Sequence, residues 1–375
     1  MCIRDRSYVT DAARKAVSVP LLNAGTHNPE SAVELIQSGT ADFAMIGRGL
    51  IADPDLPNKL LAGQREDVRP CLRCNENCIG RIWNNHTKLG CSVNVQAMEE
   101  RRFKLEAAKT AKKIVVIGGG VAGMEAARVA KLRGHEVALY EAGPRLGGMM
   151  RDVSTAKFKI NIQLLSQWYE KQMEKLGIDV HLNTFVRPDD PILAECDQIF
   201  VGCGAEALVP PIPGIDAPNV ATMVECHQDE SLIDGENIVV CGGGSTGCDG
   251  ALEIASEMGK KVTIIEMKEN CAEDAMFINR ISLMNALAAN NVTMITKAKV
   301  TAISETGVAI EKADGTTEVV PADTVINAFG MKPVLTTVNQ VKEKYHTKTR
   351  VLGDSNKIGK IGDAIRDGFY AGSTI

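Results

Sequence analysis

The strongest constraint on the fold is a unit written twice. "KKIVVIGGGVAGMEAARVAKLRGHEVALYE" (residues 112–141) and "ENIVVCGGGSTGCDGALEIASEMGKKVTIIE" (236–266) each read as an apolar strand, a glycine turn, a helix and a second strand ending in glutamate. The copies lie 124 residues apart, counted from Gly118 to Gly242, so one supersecondary unit is used twice. Each turn has the form Gly-x-Gly-x-x-Gly: Gly118, Gly120 and Gly123, then Gly242, Gly244 and Gly247. In that pattern the first glycine permits the tight turn, the second lets a pyrophosphate approach the backbone, and the third lets helix pack on strand. The helix N-terminus then faces the anion. Glu141 and Glu266 end the second strands, where a carboxylate can accept from ribose hydroxyls. A glycine-rich turn without a ligand is the competing reading; the agreement of strand, turn, helix and acid in both copies argues against it. Two dinucleotides are expected.

At 375 residues and 45% hydrophobic, the chain can form two or three domains with their own cores. A net charge of −5 gives no reason to expect nucleic acid or an anionic membrane as partner. No secretory signal and no apolar run of membrane-spanning length is legible. A reducing cytoplasm is therefore expected, and grouped cysteines there point to metal or redox chemistry more than to disulfides.

The grouped cysteines are Cys71, Cys74, Cys78 and Cys91, spaced C-x2-C-x3-C-x12-C. Four thiolates suit tetrahedral zinc or an iron–sulfur cluster, and spacing alone does not decide between them. Structural zinc usually takes two paired knuckles, whereas a 4Fe-4S cluster accepts an isolated fourth ligand. The cluster is the preferred reading, with zinc and unliganded thiols left open. Cys2, Cys196, Cys203, Cys226, Cys241, Cys248 and Cys271 are scattered and read as small packing residues.

At the start of the chain, "MCIRDRS" shares no periodicity with the residues after it and resembles translated adaptor sequence at the edge of an assembled gene fragment. From Tyr8 the text alternates: helix "YVTDAARKAV", strand "VPLLNAG", helix "NPESAVELIQSG", strand "ADFAMIGRG", helix "LIADPDLPNKLLAG". Parallel strands with crossover helices are implied. Residues 92–111 are polar and helix-prone, and read as a bridge to the next domain.

Two resemblances sharpen these readings. "EAGPRLGG", which begins at Glu141 and contains Gly148, and "DQIFVGCGAEALVPPIPG", which contains Gly204, are similar to the FAD side of two-dinucleotide flavoproteins such as the glutathione reductase superfamily. The resemblance implies FAD on the first motif and NAD(P)H on the second. "VLGDSNKIG" and "KIGDAIRDGFYAGSTI" resemble the returning strand and final helix of the FAD domain, where Asp354 would meet the flavin's ribityl or pyrophosphate region. The nicotinamide domain is then an insertion. Glu266 favours NADH, because a carboxylate accepts from a ribose 2′-hydroxyl and repels a 2′-phosphate; Lys268, two residues on, could offset that repulsion.

The second resemblance covers the chain after Tyr8. "VPLLNAGTH", "ADFAMIGRGLIADPDLPNK", "RPCLRCNENC" and two dinucleotide motifs, in this order, resemble the multidomain relatives of old yellow enzyme. These include 2,4-dienoyl-CoA and 2-enoate reductases and trimethylamine dehydrogenase. The resemblance implies an α/β chain that begins with the end of an FMN-binding TIM (β/α)8 barrel, residues 8–70. A 4Fe-4S segment at 71–111 would come next, then an FAD domain at 112–235 and 331–375 holding an NAD(P)H domain at 236–330. Gly25, Gly47 and Arg48 would meet the FMN phosphate. The implied activity is ene-reduction: electrons from NADH through FAD, cluster and FMN to the C=C bond of a small unsaturated acid or acyl-CoA. Amine dehydrogenation and an electron-transfer subunit like the small subunit of glutamate synthase are the alternatives. A whole barrel needs about 250 residues, so most of it, with the substrate pocket, is expected to lie upstream. Self-association into a homo-oligomer is left open.

Overall fold

The computed structural model describes residues 7–84 and 86–375; the "MCIRDR" of the opening stretch, with Cys2, lies outside the described residues. The chain divides into two compact units, Met1–Lys104 and Leu105–Ile375.

In the first unit, strands Leu22–Ala24 and Phe43–Met45 pair in parallel, Leu22 opposite Phe43. Helix Pro29–Gln37 makes the crossover. Its start is specified locally: the Asn28 side chain accepts from the Ser31 amide at 2.9 Å, the Ser31 hydroxyl accepts from the Asn28 amide at 3.0 Å, and proline stands at the first helical position. Ala32 and Leu35 turn inward. The single helix expected over "LIADPDLPNKLLAG" is two, Arg48–Ala52 and Leu56–Leu61. Pro54 holds Asp53 extended (φ −142°, ψ 96°), which ends the first. Asp53 is buried and accepts from Lys59 Nζ at 2.7 Å and the Arg69 amide at 2.8 Å, aiming the chain into the cysteine segment.

No helix forms over residues 92–111, against expectation. Side chains there compete for backbone groups: Asn94 donates to Ile51 O at 3.0 Å and accepts from the Gln96 amide, and Gln96 donates to Phe103 O at 2.8 Å.

The second unit contains two five-stranded parallel sheets of matching order. In the first, the strands run Thr349–Val351, Gln198–Val201, Lys113–Ile117, Glu136–Tyr140, Asp179–His181. In the second they run Val220–Thr222, Thr324–Asn327, Asn237–Cys241, Lys261–Ile265, Thr293–Ile295. The strand entering each glycine turn is central, as an apolar run buried on both faces requires. An antiparallel pair, Ala205–Ala207 with Met331–Pro333, carries the chain out of the first sheet and back into it. Because Val220–Thr222 pairs with Thr324–Asn327, the inserted domain begins before residue 236, where the sequence alone places it. Three residues with one neighbour carry too little periodicity to be read. A three-stranded antiparallel layer, Ala298–Ser304, Gly307–Lys312 and Thr317–Pro321, adds to the insertion.

The final helix, Ile361–Ser373, lies directly on helix Val121–Leu132. A Cβ at Gly368 would meet Ala122 O at 2.3 Å, and one at Gly372 would meet Ala126 O at 2.7 Å. Contact this close places the returning segment against the first glycine turn. No helix among the described residues is long and apolar enough to cross a membrane.

Candidate dinucleotide sites and a cysteine-lined pocket

The three glycines of each turn answer to different neighbours. A Cβ on Gly118 (φ +104°) would stand 2.1 Å from Gly202 O, and one on Gly123 would stand 2.0 Å from Gly118 O. In the second turn the corresponding approaches are Gly242 (φ +117°) to Ala328 O at 2.3 Å and Gly247 to Gly242 O at 1.9 Å. Protein packing therefore demands the first and third glycines. Gly120 has nothing within 4 Å, and Gly244 has only an Asp274 oxygen at 4.0 Å. Packing leaves the space in front of the middle glycines open to a Cβ.

Both glutamates are held in register with that space. Glu141 accepts from the Gly119 and Gly143 amides, each at 2.7 Å. Glu266, buried, accepts from the Gly243 amide at 2.7 Å and the Lys268 amide at 2.8 Å. Two backbone donors orient each carboxylate, and its remaining lone pairs are available to ribose hydroxyls. Around the first turn the "EAGPRLGG" loop folds back: Gly147 donates to Gly119 O at 3.0 Å, and Gly148 (φ +50°) lies so close that its Cβ would be 3.1 Å from Gly120 Cα. Gly353 packs against Ala122 at the helix start, bringing Asp354 to the same end of the sheet. The Asp354 carboxyl is pushed up mainly by burial, opposed by a hydrogen bond from the Gly359 amide at 3.0 Å and reinforced by Asp363. Gly204 (φ +76°) turns the chain beyond the central strands, and its carbonyl accepts from Ser355 Oγ at 3.2 Å. Gly118, Gly120, Gly123, Glu141, Gly148, Gly204 and Asp354 thus cluster about one strand end.

In the first unit, Cys71, Cys74, Cys78 and Cys91 line one pocket. Left-handed residues at Arg73 (φ +56°) and Asn75 (φ +58°), then a wide helical turn over Glu76–Gly80, fold the first three thiols together. Cys91 returns on a segment tied by Arg69 to Val93 O at 2.9 Å and by the Gly90 amide to Asn77 O at 2.8 Å. Backbone amides point at sulfur: Arg73 to Cys71 at 3.4 Å, and those of Val93 and Asn94 toward Cys91. Cys74 donates to Ser92 Oγ at 3.3 Å. Burial pushes the Cys71 and Cys74 thiols up, and that of Cys91 up to about 11. Four half-buried thiols around one pocket, with amide donors aimed at the sulfurs of Cys71 and Cys91, are a donor set that suits an iron–sulfur cluster, whose ligands must be thiolates. Among the described residues no group of three or more His, Cys, Asp or Glu side chains is placed to hold a metal ion.

Arg48, whose expected role is a phosphate contact, lies between the "NAGTH" turn and the cysteine loop. Its guanidinium donates to Thr26 Oγ1 at 2.8 Å and to the Asn75 side chain, and it lines the cysteine pocket. Gly25 sits beside it in sequence reach of Thr26, with Asn23 Oδ1 2.9 Å from the place of a Cβ, while Gly47 faces open space. The "NAGTH" and "IGRG" turns are therefore joined to the cysteine loop by one cation. Sequence reading also passes over Asp274. Its only signal is the repeat: Gly147 and Ala272 each stand six residues after their glutamate and each donate to the middle of a glycine turn.

Two dinucleotide seats on matched parallel sheets define a two-nucleotide oxidoreductase. The family described as pyridine nucleotide-disulphide oxidoreductase matches residues 88–190 and 189–356, and this chain belongs to it. Binding of FAD and NAD(P)H goes with that membership. The chain is 35% identical to the NADH oxidase of Thermoanaerobacter brockii, covering 97% of this chain and 56% of that protein. It is 34% identical to the bilirubin reductase of Mediterraneibacter gnavus, with 98% and 57% covered. A 2-naphthoyl-CoA reductase structure superposes with a TM-score of 0.92 at 29% identity, covering 99% of this chain and 56% of that one. The chain thus spans somewhat over half the length of the proteins it resembles.

Proposed function

We propose that this chain carries electrons from NADH through FAD on the first glycine turn to a 4Fe-4S cluster on Cys71, Cys74, Cys78 and Cys91. In the longer enzyme, FMN bound near Gly25, Gly47 and Arg48 would then reduce the C=C bond of a small unsaturated acid or acyl-CoA. The observation that carries the reading is the repeated glycine turn, in which packing requires the first and third glycines but not the middle ones, Gly120 and Gly244. Bound FAD would supply two-electron acceptance from a hydride donor and one-electron release. The protein's part is orientation and charge. Amides at the starts of helices Val121–Leu132 and Ser245–Glu257 would hold the pyrophosphates, Glu141 and Glu266 would accept from the adenosine riboses, and Asp354 would lie toward the flavin of the first site. The names of the bilirubin and 2-naphthoyl-CoA reductases it resembles support a reductive role.

The test is anaerobic mixing of the FAD-loaded protein with NADH. Rapid bleaching of the bound flavin and reduction of an artificial dye are expected; a flavin left oxidised by both NADH and NADPH overturns the reading. For the choice of nucleotide, Glu266→Ala should weaken NADH by about tenfold or more, the scale of ~1.5–3 kcal/mol for a hydrogen bond to a charged group, while NADPH changes less. Equal losses in a titration of both nucleotides remove the argument for NADH.

A further inference from the structure

The second glycine turn differs from the first in one charged contact. Asp274 Oδ1 accepts from the amide of Ser245 at 2.9 Å, and Ser245 is the first residue of helix Ser245–Glu257. A carboxylate therefore stands where the helix start would meet a pyrophosphate. The loop bearing it is pinned on both sides: the Ala272 amide donates to Gly243 O at 2.7 Å, and Lys360 Nζ donates to the carbonyl of Asp274 at 2.7 Å. In the first site the matching loop also closes on its turn, through Gly147 and Gly119 O at 3.0 Å. Two residues beyond Gly147 is Met149, uncharged; two beyond Ala272 is Asp274.

We infer that Asp274 is a specificity-determining residue of the nicotinamide site, an internal anion that must leave its seat on the Ser245 amide before a dinucleotide can enter. The inference rests on the assignment of NAD(P)H to the second turn. Asp274 is exposed, so water can receive the displaced carboxylate. A free inorganic anion offers only charge in exchange for the contact it breaks. A dinucleotide also brings riboses to Glu266 and a base to the sheet end, contacts that compensate for the displacement. The seat is thereby reserved for ligands that engage both ends of the site.

The experiment measures NAD+ binding to the FAD-loaded protein by calorimetry, with and without inorganic phosphate, for the wild type, Asp274→Asn, Asp274→Ala and Gly244→Val. Retained flavin and an unchanged Tm report intact folding. Both Asp274 variants should bind NAD+ about tenfold tighter, which is ~1.4 kcal/mol, and phosphate should compete with NAD+ in the variants but not in the wild type. If Gly244→Val abolishes NAD+ binding but neither Asp274 variant tightens it, the inference fails while the site assignment stands. If Gly244→Val binds NAD+ as the wild type does, both fail.

Discussion

Gly120→Val protein folds and carries no FAD, whereas Gly244→Val protein carries FAD that NADH no longer reduces. The asymmetry comes from what each middle glycine faces. A Cβ on Gly120 meets nothing within 4 Å beyond its chain neighbours, and one on Gly244 meets only Asp274 at that limit. Neither backbone is in the left-handed region, with φ of −70° and −67°. Valine therefore costs the unliganded fold little and acts on the bound state, where two branched methyls occupy the volume needed by the pyrophosphate. Forcing such bulk into a filled site costs of order 3 kcal/mol, about a hundredfold in affinity. Substitution of Gly118 or Gly123 should behave differently, because their Cβ atoms would stand about 2 Å from carbonyl oxygens of Gly202 and Gly118; those proteins should lose thermal stability with or without flavin. Flavin absorbance after gel filtration, a melting curve and NADH-driven bleaching separate the cases. Loss of FAD in Gly244→Val with retention in Gly120→Val would show that the two nucleotides occupy the opposite turns.

The turns are legible in sequence because their steric demands fall on single residues at fixed spacing. Gly118 must reach a positive φ beside Gly202, and no other residue does so at that distance from a carbonyl. The same holds for Gly242 against Ala328, and for the glutamates at the strand ends. Features that depend on distant partners are not legible. The Arg48 guanidinium also meets Asn75, 27 positions away, through a left-handed turn that no local pattern announces. Residues 92–111 have helical composition, yet Asn94 and Gln96 find partners at Ile51 and Phe103 that a helix would forfeit. Val220–Thr222 joins the second sheet only because Thr324–Asn327, about a hundred positions on, offers an edge. Asp274 is of this kind as well, an ordinary loop acid until the fold brings it to the Ser245 amide.

Anaerobically reconstituted protein should be brown, hold about four iron and four sulfide per chain as a 4Fe-4S cluster does, and bleach on reduction. Each of Cys71→Ser, Cys74→Ser, Cys78→Ser and Cys91→Ser should lose most of that colour. Cys91 is the decisive position, because twelve residues separate it from Cys78 and the motif alone supports it least. The structure supplies the support: Arg69 and Asn77 draw its segment to the other three, and the Val93 and Asn94 amides face its sulfur. Burial raises its thiol to about 11, and a cationic partner would favour the thiolate. Serine keeps the shape and supplies a poorer ligand to iron, which directs the expected loss to the cluster and leaves the fold in place. FAD content and its reduction by NADH should persist in all four variants, since every residue assigned to those steps lies between Leu105 and Ile375. Iron and sulfide analysis beside flavin content decides the matter. A colourless protein with one zinc per chain, or a Cys91→Ser protein with its full iron content, would remove the cluster from the proposed electron path.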